Sequence, residues 1–138
     1  MKIRMSLFLL VAFLVAMSCS SERSWIGTYA LEITEETKEA YEMFQEMEMI
    51  WPEITLNEDV TFLLLKTEGH VKISGTYTVE ETTLILQALD VGGKPPEGKY
   101  AEPHSAEFTD GYQVLMMEGP DKERWVRKEV NEAFLGGN

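Results

Sequence analysis

Cys19 is the one cysteine of the 138-residue chain, and its surroundings indicate what its thiol is for. It follows a basic start with Lys2 and Arg4, an apolar run over residues 5–16, and the small residue Ser18. An export signal has a positive start, an apolar run of about 7–15 residues and small residues before the cleavage site, whereas a membrane span needs about 20 apolar residues. The N-terminal segment therefore predicts export, with residues 1–18 as a signal peptide.

The residues just before Cys19 resemble the lipobox of bacterial lipoproteins, although Ala16 and Met17 stand where that motif usually has Leu and a small residue. The alternative is ordinary signal cleavage at the same bond, because Ala16-Met17-Ser18 also fits a small-x-small site. A single leftover thiol is anomalous in a secreted protein, and lipidation removes the anomaly. The resemblance implies acyl chains such as palmitate on Cys19 and a place in the cell envelope, at the outer membrane in a Gram-negative cell because Ser20 is not the aspartate of inner-membrane retention.

The remaining side chains with reactive potential do not form a recognisable motif. His70 and His104 lie 34 positions apart in the sequence without a second ligand at metal-site spacing, so no zinc, copper or other cofactor is predicted. The carboxylates are too numerous for any pair to stand out, and no nucleophile elbow or phosphate-binding loop occurs. The sequence predicts a protein that is not an enzyme.

Charge and length restrict the partners and the architecture. Cleavage before Cys19 would leave 120 of the 138 residues and would lower the formal charge from −12 to −14, because the signal carries Lys2, Arg4 and no acid. Such an acidic chain should not bind nucleic acid, whose phosphates require Lys and Arg. We expect a monomer with a linker over residues 19–24, one domain over residues 25–130 and a tail over residues 131–138.

The domain must position its side chains mainly with β-strands, because apolar residues alternate along most of it. Short strands separated by turn residues are typical of an antiparallel meander, and Asp110-Gly111 is a two-residue hairpin signal. The predicted strands are residues 27–33, 60–66, 71–80, 83–89, 106–109, 112–117 and 125–128.

One segment has helical periodicity instead. Over residues 35–50, Met43, Phe44 and Met47 belong to an apolar stripe that is flanked by glutamates, which predicts one amphipathic helix after the first strand. Thr34 is a plausible N-cap and Pro52 prevents a further turn. The apolar stripe should be buried against the sheet or across the end of a barrel.

Three short motifs resemble the small lipocalin-like domains of bacterial lipoproteins. They are Gly27-Thr-Tyr29, Leu56-Asn-Glu-Asp-Val-Thr-Phe62 and Gly75-Thr-Tyr77-Thr-Val79, and the resemblance covers about residues 25–128. It implies an up-and-down antiparallel barrel of about eight short strands. By the same resemblance Tyr29 would close the barrel base against Arg127 or Arg124. The Cys-x-x-Cys motif of related copper-stress lipoproteins is absent, so their metal chemistry is not implied here.

An eight-stranded barrel can be filled by side chains or can hold one small ligand, which leaves two functions open. The first is a structural or interaction lipoprotein that meets another envelope protein. The second is a binding module for a small apolar or amphipathic ligand held in the barrel under the helix. Val114 and Met116 are among the residues expected to face inward, and His104 would do so if its strand begins there. The candidate ligand-binding residues are Phe62, Tyr77, His104, Met116, Phe44 and Met47.

Overall fold

A computed structural model describes residues 24–66, 71–118 and 122–136. The predicted signal peptide, Cys19 and His70 lie outside these ranges. The described residues contain eight strands and two α-helices. The strands are β1 (Gly27–Leu31), β2 (Glu53–Leu56), β3 (Thr61–Leu65), β4 (Lys72–Glu80), β5 (Thr83–Val91), β6 (His104–Thr109), β7 (Val114–Met117) and β8 (Arg124–Arg127); the helices are α1 (Lys38–Glu46) and α2 (Lys128–Gly136).

The strands form a closed antiparallel barrel in sequence order. Each strand pairs with the next, and β8 returns to pair with β1, with Tyr29 opposite Arg127 and Leu31 opposite Trp125. This up-and-down topology confirms the predicted fold class, a mainly-β, lipocalin-like barrel with a helix after its first strand. Within the described residues, neither helix is long and apolar enough to cross a membrane.

Alternation along the strands places one face of each in the barrel interior. On β3, Phe62 and Leu64 are buried, and on β4 Ile73 and Tyr77 are buried while their neighbours in sequence are more exposed. Gly75 lies between them at a β-bulge, where a Cβ atom would stand 2.0 Å from the carbonyl oxygen of Gln87. Only glycine permits that approach of β4 to β5.

Two features of the strands differ from prediction. Strand β2 (Glu53–Leu56) was not predicted. Its four residues follow Pro52 directly and give only two alternations of buried and less buried positions. The turn after β6 has four residues, with positive φ angles at Asp110 (52°), Gly111 (62°) and Tyr112 (67°), and not the expected two-residue hairpin.

That longer turn reverses the predicted orientation of the residues on β7. Leu115 lies opposite Phe108 and is fully buried in the interior, and Met117 packs against the same core. Because successive side chains point to opposite faces, Val114 and Met116 belong to the outer face, and their predicted inward orientation is wrong. Val114 is buried there, while Met116 is only partly buried.

Helix α1 lies outside the barrel. It is shorter than predicted, with Thr37 in place of Thr34 as the N-cap, and the left-handed residue Glu48 (φ 55°) follows its C-terminal end. Phe44 packs edge to face on Trp51, with ring centroids 5.1 Å apart. None of its residues is buried, and Met43 and Met47 are 54% and 63% exposed, so the prediction that the apolar stripe is buried is wrong.

Helix α2 was not predicted and occupies the segment expected to end the domain. It begins directly after β8 and covers the outer face of β1 and β8, where Ala30 and Val126 are buried. The buried Asn131 fixes it there, since its Oδ1 accepts a hydrogen bond from Ile33 N (2.9 Å) and its Nδ2 donates one to Leu31 O (3.0 Å). The molecule therefore has a main core inside the barrel and a second, smaller apolar layer beneath α2.

A candidate ligand cavity at the open end

One end of the barrel is closed by a tyrosine and an arginine. The Arg127 guanidinium lies 4.5 Å from the ring centroid of Tyr29, and it donates hydrogen bonds to the carbonyl oxygens of Ile26 (2.6 Å) and Ser24. The Tyr29 hydroxyl donates to the carbonyl oxygen of Tyr112 at 2.7 Å. Tyr29, which the resemblance assigned to barrel closure, thus meets Arg127, while Arg124 forms an ion pair with Glu32 outside the barrel.

The surroundings of this pair leave little space. Gly27 has φ 136°, and a Cβ atom on it would stand 2.5 Å from Nη1 of Arg127. Tyr112 packs edge to face on both Trp25 and Phe108, with centroid distances of 5.8 and 5.2 Å. Burial raises the pKa of Tyr29 well above its usual value, and the nearby charge of Arg127 offsets that rise only in part. We call this region, from Trp25 and Tyr29 to Tyr112 and Arg127, the closed end.

Tyr77 also belongs to the closed end. Its hydroxyl donates a hydrogen bond to the carbonyl oxygen of Asn57 (2.6 Å) and accepts one from the indole Nε1 of Trp25 (3.3 Å). The side chain is buried and its polar atom is bonded within the protein. Tyr77 therefore contributes to closure and does not line the cavity described next.

The opposite end of the barrel contains a cavity of about 400 Å³. Its walls are inward-facing apolar residues in the half of the barrel away from the closed end: Phe62, Leu64, Ile73, Leu86, Ala88, Met117 and Trp125. It extends to the residues that follow β3, precede β6 and connect β7 to β8, at the end away from Tyr29. A pocket of this size with apolar walls and a few polar groups is typical of a small-molecule site.

Polar and charged side chains lie around the mouth of this cavity. Tyr100, in the 3-10 turn Gly98–Ala101, has the Nζ atoms of Lys66 and Lys99 at 5.9 and 5.6 Å from its ring centroid. The Nε2 atom of His104 donates a hydrogen bond to the carbonyl oxygen of Lys99 at 2.9 Å, since that oxygen can only accept. Glu118 and Glu123 also line the cavity.

One buried polar atom in the wall has no hydrogen-bond partner among the described residues. Trp125 is 3% exposed and lines the cavity, and its indole N–H is a buried donor without a hydrogen-bond acceptor among the described residues. Leaving a buried donor unsatisfied costs about 1–3 kcal/mol. By contrast, the indole N–H of Trp51 donates to the carbonyl oxygen of Leu31 at 2.7 Å.

The structure brings only two of the six candidate ligand-binding residues to the cavity. Phe62 lies in its wall and His104 at its mouth. Met116 lies on the outer face of β7, and Tyr77 belongs to the closed end. Phe44 and Met47 are on or next to α1, outside the barrel, and neither of them lines the cavity.

Sequence reasoning missed most of the cavity's polar residues. Lys66 follows β3 and is an even number of positions from Phe62 and Leu64, which face the barrel interior. Its place at the cavity mouth could therefore have been inferred from alternation along the strand. Lys99 and Tyr100 carry no such signal, because they belong to a long connection between β5 and β6 whose path depends on tertiary packing.

A second cavity of about 420 Å³ lies on the outer wall of the barrel, between the two helices. Its lining includes Tyr41, Trp51 and Leu65, and Lys128 and Glu53 at its edge form an ion pair of 3.5 Å. It is separate from the barrel interior.

Comparisons of the chain with known proteins found no matching family model, no matching curated protein and no matching solved structure. The residues of the two barrel ends are therefore the basis for a functional proposal.

Proposed function

We propose that this protein is a lipid-anchored binding protein of the cell envelope, which holds one small amphipathic molecule in the open half of its barrel. The anchor is the lipid on Cys19, as the signal-like N-terminus indicates. The role is binding without a catalytic step. The observation that carries the proposal is the cavity of about 400 Å³ inside a barrel whose other end is packed.

The distribution of polar groups supports an amphipathic ligand. The walls formed by Leu64, Ile73 and Leu86 would exclude water from an apolar tail, while Lys99, His104 and Glu123 at the mouth offer charged or hydrogen-bonding contacts to a head group. Trp125 adds a buried donor that an oxygen atom of the ligand, or a water molecule carried with it, would satisfy. Mostly apolar walls with few polar groups are the usual composition of such sites.

The path of the chain supports an orientation for the anchored protein. Ser24 lies at the closed end, where its carbonyl oxygen accepts a hydrogen bond from Arg127, and Cys19 precedes it by five positions. Five residues span at most about 18 Å. A lipid on Cys19 would therefore hold the closed end toward the bilayer, and the cavity mouth would face away from it.

A cavity-filling substitution tests binding. In Ala88→Phe the new ring would occupy the cavity, because Ala88 lines it. We expect binding of a fluorescent apolar dye to fall at least about tenfold, with little loss of stability because the ring enters existing space. The matched control is Leu89→Phe, since Leu89 is adjacent in sequence but exposed. Equal dye binding by Ala88→Phe and the native protein would contradict the proposal.

Replacing the cysteine tests the anchor. We expect Cys19→Ala to release the protein from the membrane fraction, because each buried methylene of an acyl chain contributes about 0.8 kcal/mol and the acidic domain offers no substitute. Cell fractionation measures this, and a Ser18→Ala variant, which keeps a small residue before the cysteine, should stay in the membrane. If Cys19→Ala remains fully membrane-bound, another element anchors the protein.

A second candidate function is contact with another envelope protein through α1. The observation that favours it is the exposure of Met43 and Met47 among the glutamates of this helix. Native mass spectrometry of the protein purified from its own host separates the two functions. A co-purifying small molecule supports ligand binding, whereas a stoichiometric protein partner supports the second candidate.

A further inference from the structure

The charged residues at the cavity mouth are divided between two sides. Lys66 follows β3 and Lys99 lies between β5 and β6, and the two ammonium groups flank the same Tyr100 ring. Glu118 and Glu123 lie in the connection between β7 and β8. In a closed barrel of eight strands in sequence order, the strand ends next to Glu118 and Glu123 lie across the mouth from the end of β3, which Lys66 follows.

Among the described residues, these four charged side chains form no ion pair with one another. Within the part of the chain that the structure describes, the ion pairs are Arg124 with Glu32 and Lys128 with Glu53, and neither lies at the mouth. The whole chain has 24 acidic and 12 basic residues, so a lysine would readily find a carboxylate. Two lysines that approach one aromatic ring, and two glutamates that form no ion pair among the described residues, make a site with separated charges.

We propose that the ligand has a zwitterionic head: an anionic group bound by Lys66 and Lys99, and a cationic group bound by Glu118 and Glu123, with a single apolar chain in the cavity. The inference rests on the proposed function and specifies its ligand class. A purely anionic head would meet the lysines but also approach the two carboxylates, and a purely cationic head would have the reverse difficulty. Only a head with both charges is complementary to both sides.

Amphiphiles with one tail and different heads test this inference. The probes are decylphosphocholine, decyl phosphate and decyltrimethylammonium, each used as monomers below its critical micelle concentration. The protein is the chain from residue 20 onward, which contains every strand and helix described above, with folding checked by circular dichroism. We expect titration calorimetry to give decylphosphocholine the highest affinity, by about tenfold over each singly charged probe. If either singly charged probe binds as tightly, the inference fails.

Charge-removing variants assign each side. Lys99→Gln should lower the affinity for decylphosphocholine and decyl phosphate and leave that for decyltrimethylammonium unchanged or improved. Glu123→Gln should lower the affinity for decyltrimethylammonium and leave that for decyl phosphate unchanged or improved. The control is Lys94→Gln, an exposed position that does not line the cavity. Uniform changes across the three probes, or none, would overturn the assignment.

The same experiment separates failure of this inference from failure of the proposed function. If all three decyl probes bind with similar affinity and Ala88→Phe removes that binding, the cavity binds amphiphiles without discriminating between the charges of their head groups. If none of the probes binds, both proposals fail. Vesicles of phosphatidylcholine distinguish the source of the head group: we expect monomers to bind and intact vesicles not to bind, because the cavity has room for one chain. Binding only to vesicles would contradict a cavity-bound ligand.

Discussion

The two ends of this barrel differ in how their polar side chains are satisfied. At the closed end, Arg127, Tyr29 and Tyr77 all find ring faces or backbone carbonyl oxygens within the protein. At the open end, the indole N–H of Trp125 has no acceptor among the described residues, and the four mouth charges form no ion pair with one another or with other described residues.

This difference indicates that the residues that stabilise the fold and the residues available to a ligand lie at opposite ends of the barrel. Polar groups that satisfy one another at the closed end hold the strands together, because a buried polar atom is stable only when it is hydrogen bonded. At the open end the Trp125 indole N–H has no acceptor and the charged groups form no ion pair among the described residues, so these groups add less to stability but remain available to a ligand. The cavity is therefore located at the end of the barrel where charged side chains form no ion pairs among the described residues.

The largest effect that we expect is from truncation at the closed end. Tyr29→Ala should lower the free energy of unfolding by about 3–5 kcal/mol, because it removes a fully buried ring and leaves the Arg127 guanidinium without its aromatic partner. Denaturant unfolding measures the loss.

Tyr100→Ala at the mouth is the matched variant. It removes a partly exposed ring that contacts two lysines, so it should lower the free energy of unfolding by less than about 1 kcal/mol. Similar losses in the two variants would show that the two ends do not differ in the way proposed.

A pair of glycines gives a smaller contrast. Gly27 and Gly98 both have positive φ angles, 136° and 58°, but only at Gly27 does an added Cβ meet another group, the guanidinium of Arg127. Gly27→Ala should therefore destabilise by roughly 2–4 kcal/mol, and Gly98→Ala by about 1 kcal/mol from backbone strain alone. Thermal unfolding of both variants checks this. An equal shift of Tm in the two variants would show that a clash with Arg127 does not contribute to the destabilisation.

Alkaline pH tests the burial of Tyr29. Its pKa in the folded protein is raised by burial, whereas in the unfolded chain it is about 10. Above pH 10 the unfolded state loses a proton that the folded state keeps, so stability that is present below pH 10 declines as the pH rises further. In Tyr29→Phe that decline should be shallower between pH 9 and 11. Phe62→Leu, which lowers stability without changing a titrating group, should keep the native slope.

The strand pattern could be predicted because burial on one face imposes a period of two on residues such as Ile73, Gly75 and Tyr77. Asn131 shows what the pattern leaves out: its two hydrogen bonds to β1 hold α2 in place, but a single asparagine in a short helix has no periodicity. The register of β7 depended on the backbone conformation of Tyr112, which adopts a left-handed φ angle that its side chain does not predict.

The two ends also differ in how many of their contacts could be predicted from the sequence. Tyr29 and Arg127 lie on neighbouring strands, and the family resemblance implied a contact of Tyr29 with either Arg127 or Arg124. The mouth residues Lys99 and Glu123 come from different connections, and their proximity depends on closure of the whole barrel. Helix α1 was expected to pack on the sheet or across the end of the barrel, because its apolar stripe resembled that of a helix packed against a core.

The smallest effect that we expect concerns α1, and it tests whether the open end needs this helix. Met47 is 63% exposed and does not line the barrel cavity, so Met47→Ala should change the free energy of unfolding by less than about 0.5 kcal/mol. Dye affinity should also be unchanged, because no group at the mouth moves. Phe44→Ala, which removes the edge-to-face contact with Trp51, should lower stability more, by about 1 kcal/mol, and likewise leave dye affinity unchanged. Fluorescence titration alongside thermal unfolding measures both quantities. Altered dye affinity in a stable Met47→Ala protein would make α1 part of the mouth, and the boundary between the two ends would have to include the outer helix.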